Sequence, residues 1–421
     1  MVPDSHSPAP RWRAVAVTVL AVAFVARLTL TSAPVDPDET RAGFLCMTGC
    51  NNEGGRDFLS NILLFLPLGW ALSYWLRPKP AVLACLAATI AIETLQGTVL
   101  TGRDSSLRDI LSNALGGGLG VWLYRDWRRF RWPGARESVI LGCMAALVWS
   151  AVLGFTALGT RLAPSANPYY GLWAKAYGHY TQYTGRILAL QVDGTAPPDG
   201  FFQDPAPLRR SMTADTFLVA ARVVSGAPPR RTAPIYAVVD SAHDEQVLLA
   251  QDRNALVLQL RTRFERWEFR ALIARLPLFA GRAPGDTVSI VAGRTRTAWV
   301  IRSTSRDGES EVTLPMTVGW GWASMLPFRY AVWDEWLLLN PVWLAGLMFP
   351  VGYWFARSAP GTGIVVTALI LVTGLAGIPL ATGAAATSGG EWVGAALGAL
   401  LGWVAGAGSR RHGRWIHGER R

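Results

Sequence analysis

The chain has 421 residues, of which 51% are hydrophobic and 16% charged, with 19 Trp and a net charge of +11. This balance excludes an ordinary soluble domain and fits a protein with many bilayer interfaces, where Trp sits well. The basic excess falls as Arg in loops between apolar stretches, so no nucleic-acid partner is expected.

Eight apolar stretches reach the roughly 20 residues that a helical crossing needs. They lie near 13–32, 58–76, 80–100, 107–124, 137–159, 333–356, 361–382 and 391–408. The first follows Arg11 and Arg13, as a signal peptide would. It lacks a clean small-x-small cleavage site and is read as a span. The expected fold is therefore a multi-pass α-helical membrane protein with an inserted all-β sandwich. A membrane domain covers 1–159, a sandwich outside the cytoplasm 160–332, and three further helices with a basic tail 333–421.

Lys and Arg set the expected orientation. With the N-terminus inside, the inside segments hold 15 of them, including Arg77, Lys79, Arg125 and Arg357. The short outside loops hold four: Arg41, Arg56, Arg103 and Arg108. The positive-inside rule then puts both termini in the cytoplasm of a bacterial inner membrane and 160–332 outside.

Three of the apolar helices carry polar groups in pairs. Asp57 and Asn61 are four apart, as are Asp109 and Asn113, while Glu93 and Gln96 are three apart. Each pair shares one helix face. In the expected orientation all six, with Arg103 in the short outer loop, fall in the outer half of the bilayer or at its outer edge. An ionisable group in a spanning helix costs a few kcal/mol or more and marks a functional site by default. The alternative is structural: amide and carboxyl groups glue membrane helices together at about 1 kcal/mol each.

The ordered set Asp57, Asn61, Pro67, Gly69, Glu93, Gln96, Arg103, Asp109, Asn113 and Gly116 resembles the pattern of the VanZ-like membrane family. The likeness covers residues 57–124. It implies a bacterial membrane protein, and the family's namesake is associated with glycopeptide-antibiotic resistance. It supplies no settled activity.

The second half echoes the first. Leu64-Phe-Leu-Pro67-Leu-Gly69-Trp70 is similar to Leu347-Met-Phe-Pro350-Val-Gly352-Tyr353. Asp109 followed by Gly116 and Gly120 is similar to Glu391 followed by Gly398 and Gly402. The spacing suggests a repeat of four helices per half, with the second copy worn: Asn340 stands for Asp57 and Ala395 for Asn113. The glycines are read as close-packing positions, since no phosphate-binding lysine follows them.

Residues 160–332 change character. Tyr169, Trp173, Tyr177 and Tyr180 stand at helical spacing, so 167–183 is expected to lie on the headgroups as an aromatic segment. Strands are expected near 186–192, 216–224, 234–240, 246–251, 255–262, 286–292, 297–303 and 310–314. Their succession resembles a laminin-G or concanavalin-type lectin sandwich, which implies carbohydrate binding, sometimes with calcium. Asp240, Asp244 and Asp252 match no calcium loop and are read as surface acids in turns. Trp320 and Trp322 are read as interface anchors before the next span.

Cys46 and Cys50 flank Met-Thr-Gly in a loop outside and could form a disulfide. No metal site and no cofactor are expected. No Ser/His/Asp order or metal-ligand spacing stands out. The function these features favour is binding of an envelope glycan or lipid-linked cell-wall intermediate at the outer leaflet. A desolvated Glu93 acting as acid or base in an intramembrane enzyme, or carrying a proton in a transporter, stays open.

Overall fold

A computed structural model of the protein describes residues 11–31, 54–100, 105–131, 133–306, 308–326 and 338–418. It divides into two compact units, Met1–Pro133 and Gly134–Arg421.

The first unit is helical: α1 (Arg11–Thr29), α2 (Gly54–Leu72), α3 (Pro78–Thr98) and α4 (Leu107–Arg131). Proline in the first turn of α3 costs nothing there, because that N–H has no helical partner. α2 and α4 pack side by side and parallel. Gly116 lies against Ile62, Gly120 against Leu66 and Trp70, and Gly69 against Gly117. A Cβ at Gly69, Gly116 or Gly120 would overlap the facing carbonyl oxygen, so only glycine permits this approach. α3 buries one stripe, Ala81, Cys85, Thr89, Ile92, Glu93 and Gln96, at helical spacing.

The second unit begins with α5 (Ala135–Gly159), which packs on α8 (Leu339–Ser358). The chain continues through α9 (Pro360–Val372), a π turn (Thr373–Gly377), α10 (Ile378–Thr382) and α11 (Gly389–Gly418). α8 and α11 repeat the packing of α2 and α4. Gly398 lies against Ala345, Gly402 against Phe349 and Tyr353, and Gly352 against Ala399. Every α8 partner stands 283 residues after its α2 counterpart (Ile62 to Ala345, Leu66 to Phe349, Gly69 to Gly352). Every α11 partner stands 282 after its α4 counterpart (Gly116 to Gly398, Gly117 to Ala399, Gly120 to Gly402). The likeness of the two halves thus extends from composition to the register of two packed helix pairs.

Among the described residues, five helical segments are long and apolar enough to cross a membrane, not the eight expected: Arg11–Thr29, Pro78–Thr98, Ala135–Gly159, Pro360–Thr382 and Gly389–Arg410. The expected spans near 58–76 and 107–124, and the described part of the one near 333–356, fall on α2, α4 and α8, but polar groups dilute them. α2 carries Arg56, Asp57 and Asn61, α4 carries Arg108 and Asp109, and α8 carries Asn340 among prolines and aromatic residues.

Between α5 and α8 the chain builds two antiparallel sheets. The first has the order β3-β1-β5-β6-β7-β8 and the second β11-β10-β9-β4-β2. Its strands are β1 (Tyr169–Trp173), β2 (Arg186–Val192), β3 (Gly200–Phe201), β4 (Phe217–Val224), β5 (Ala233–Asp240) and β6 (Glu245–Asp252). They continue with β7 (Ala255–Leu260), β8 (Ile273–Leu276), β9 (Thr287–Arg294), β10 (Ala298–Ser305) and β11 (Gly308–Pro315). Short helices α6 (Ala206–Thr213) and α7 (Arg263–Arg266) interrupt them. All eight expected strands are present, and β1, β3 and β8 add to them. The core alternates inward along β4 through Phe217, Val219, Ala221 and Val223.

Three expectations for this region are corrected. Tyr169–Trp173 is a strand rather than part of an aromatic helix, because it pairs with β5 from Tyr169↔Asp240 to Trp173↔Tyr236. Tyr169 is fully buried in the core instead of lying on headgroups. Trp320 and Trp322 are buried too, in a 3-10 helix (Val318–Met325), with their indole N–H groups bonded to Pro315 O and Asn340 Oδ1. Asp240 is no surface acid. It is buried and accepts from the backbone of Ala242 and Asp244 and from Asn167 Nδ2, which locks the β5–β6 turn. Asp244 and Asp252 pair with Arg261 and Arg275.

No lectin fold is identified for the sandwich. On the outer face of the six-stranded sheet, Ala237, Leu248 and Ala250 are covered by Leu172, Tyr177 and Tyr180. Desolvation raises the Tyr177 hydroxyl pKa, with Glu245 beside it adding to the effect.

Candidate functional site

The polar residues of the first unit gather at one end of its helices. Because α2 and α4 are parallel and in register, their N-termini, with Asp57 and Asp109, lie at the same end. α3 runs back, and its C-terminal half brings Glu93 and Gln96 to that end.

Glu93 is only 2% exposed, and its Oε2 accepts the backbone N–H of Ser106 at 2.8 Å. Ser106 immediately precedes α4, so the carboxylate of one helix satisfies a donor at the start of another. Gln96 Nε2 donates to Thr29 O at 2.9 Å, tying α3 to the end of α1. Asn113 Nδ2 donates to Thr89 Oγ1 at 2.9 Å, one turn further along α3. Asn113 is buried, yet its Oδ1 has no hydrogen-bond partner among the described residues. A buried acceptor left unpaired costs about 1–3 kcal/mol, a cost that a ligand donor or a water would relieve.

Asp57 differs from these groups. It pairs with Arg56 at 2.6 Å, and its side chain is 27% exposed. Asp109 and Asn61 are half-buried. The site therefore has a sealed floor, made by Glu93, Gln96 and Asn113, and a more open rim with Asp57 and Asp109.

Thr89 and Ser106 are hydrogen-bond partners of this candidate site that the polar-pair pattern missed. Thr89 stands four residues before Glu93 on the same stripe, and Ser106 opens a Ser-x-x-Asp capping pattern with Asp109; both are legible signals. Arg103, Cys46 and Cys50 lie outside the described residues. Among the described residues no group of three or more His, Cys, Asp and Glu could hold a metal ion.

The second unit places a carboxylate at the equivalent position. Glu391 is 282 residues after Asp109, and Asn340 is 283 after Asp57. Asn340 Nδ2 donates to Glu391 Oε1 at 2.9 Å, and the Thr317 hydroxyl donates to the same oxygen. Glu391 Oε2 accepts from Ser388 N at 2.8 Å, and Ser388 is the counterpart of Ser106. Both units thus serve the N–H of the equivalent serine with a carboxylate, from α3 in the first and from α11 itself in the second.

No curated protein and no solved structure matches the chain. The family model described as VanZ/LLP1 matches residues 15–130. This stretch contains Asp57, Asn61, Glu93, Gln96, Arg103, Asp109 and Asn113, so the helical unit that holds the candidate site is VanZ-like.

Proposed function

We propose that the VanZ-like unit binds the polar headgroup of a lipid or lipid-linked envelope glycan at the outer leaflet of a bacterial inner membrane. The observation that carries this reading is the gathering of Glu93, Gln96, Asn113, Asp57 and Asp109 at one end of the unit, with sealed and open groups side by side. Amides and an unpaired buried carbonyl oxygen suit recognition of hydroxyl and amine groups. Binding without turnover is favoured, because the sealed carboxylate of Glu93 is engaged as a helix cap.

The Lys and Arg distribution supports cytoplasmic termini, an outward-facing site and an exported sandwich. The association of VanZ-like proteins with glycopeptide resistance supports a cell-wall intermediate as the ligand class. A carbohydrate on the sandwich would meet the outer face of the five-stranded sheet, where Arg222 and Arg302 are exposed. The test is lipid mass spectrometry of the protein purified from its own membrane, wild type beside Asn113→Leu. A defined lipid or lipid-linked glycan enriched on wild type and lost from a folded variant supports the reading. A lipid set indistinguishable from bulk membrane on wild type contradicts it.

A further inference from the structure

Among the described residues between α5 and α8, three large apolar or aromatic side chains are well exposed: Tyr170 at 39%, Leu188 at 43% and Phe201 at 48%. Two of them are neighbours. β1 turns Tyr169 into the core and Tyr170 outward, and Tyr170 pairs across the sheet edge with Phe201 of β3. Their ring centroids are 5.5 Å apart. Leu188 lies on β2, in the other sheet.

The register shows at which end of the sandwich each stands. α5 is long and apolar enough to cross a bilayer, and the sandwich packs on its last two turns. Phe155 meets Phe264 and Trp267, and Leu162 bridges to Thr262 just past β7. From there the chain crosses the same end of the six-stranded sheet. Ala163 N donates to Arg261 O, Ser165 N to Gln246 Oε1 and Asn167 Nδ2 to Asp240 Oδ2. Tyr169 pairs with Asp240, so Tyr170 and Phe201 sit at the α5 end, one residue in. β1 is three strands away from β7, about 14 Å to the side, and β3 lies one strand further. That offset carries the pair clear of α5, since a helix is only about 10 Å wide. The five-stranded sheet meets α5 through the 3-10 helix after β11, where Gly321 lies against Thr156. Leu188 is at the far end of that sheet, between the pairs Ile187↔Val223 and Ala189↔Arg222.

We propose that Tyr170 and Phe201 form a membrane-contact corner of the sandwich, resting among the phospholipid headgroups of the leaflet where α5 ends. Phe155 is one turn from the end of the span, so the sandwich end that packs on it begins at headgroup depth. Aromatic rings favour this zone, with Tyr presenting an apolar body and a polar tip. Arg210 on α6 and Arg266 on α7 are exposed at the same end and suit lipid phosphates. α6 is held there by Arg209, which donates to Asn167 O. A second membrane contact beside the span fixes the tilt of the sandwich over the bilayer. This inference depends neither on the compartment that the sandwich occupies nor on the site in the first unit.

The test places p-benzoylphenylalanine at position 201 of the full-length protein in nanodiscs of phosphatidylethanolamine and phosphatidylglycerol. After irradiation, peptide mass spectrometry reads what that position has joined. The proposal expects phospholipid adducts at 201 and their loss when the probe replaces Leu188 instead, although Leu188 is nearly as exposed. A probe in place of Tyr170 reads the same corner if the first variant does not fold. Lipid adducts as abundant at 188 as at 201 would overturn the proposal. So would adducts at 201 only to the protein's own chain, which would make the corner an internal contact, or an unreacted probe in the folded variant, which would leave the pair to a soluble partner.

Discussion

Glu93 accepts the backbone N–H of Ser106 at 2.8 Å, across two helices and in a place almost without solvent. Glu93→Gln keeps an acceptor oxygen and should fold with little loss. Glu93→Ala orphans the N–H and should destabilise the first unit by about 1–3 kcal/mol. Thermal unfolding in detergent, compared between the two variants, checks this; equal melting of both would show that the bond contributes nothing.

The glycine contacts make a paired prediction. Gly120→Val and Gly402→Val each push a side chain into a carbonyl of the facing helix, Leu66 O and Phe349 O respectively. Both should destabilise, by about 1–3 kcal/mol or more, as overpacking does. Gly118→Ala should be tolerated, because nothing lies near its Cβ position. Expression level and melting temperature of the three variants test the shared register.

The sandwich is fastened to α5 by aromatic rings. Phe155 stacks on Trp267 at 5.2 Å and meets Phe264 at 5.2 Å and Phe269 at 4.8 Å. Gly159 leaves the space that Phe264 enters. Phe155→Ala should cost about 3–5 kcal/mol at this junction. Faster proteolytic cleavage between α5 and β1, with the sheets intact, is the expected result.

A pH dependence follows from Glu265, which caps α7 by accepting from Thr262 N at 2.8 Å. Desolvation raises its pKa from 4.5 to about 7, against the lowering effects of the Thr262 bond and nearby Arg261. The folded state therefore holds this proton more tightly than the unfolded state. The stability it contributes is present below pH 4.5 and is lost as pH rises through about 7. Glu265→Gln should flatten the pH dependence between those values, measured by chemical unfolding followed through Trp fluorescence. An unchanged profile would remove Glu265 as its source.

Much of the architecture was legible in the residues, for identifiable reasons. The strands from 186 to 314 carry Val, Ile and Leu between turn signals, and the helices of the repeat carry their glycines at fixed spacing. β1 was not legible, since Tyr169, Trp173, Tyr177 and Tyr180 fit a helical face as well as a strand and loop. Only pairing with β5 decides between them. Trp320 and Trp322 read as interface anchors because burial against Asn340 and the sandwich core depends on tertiary contacts alone. In the site, Glu93, Gln96 and Asn113 stood out as polar groups in apolar helices. Their partners were harder to see, since Ser106 contributes a backbone N–H and Thr29 a carbonyl, and neither depends on side-chain chemistry.

The most direct measurement is native mass spectrometry of the intact protein extracted from its own membrane, comparing wild type with Asn113→Leu and Thr317→Val. The account predicts a defined lipid or lipid-linked glycan adduct on wild type and Thr317→Val, and its loss from Asn113→Leu at equal folded yield. An adduct that survives Asn113→Leu and disappears with Thr317→Val would place the ligand in the second unit and contradict the account.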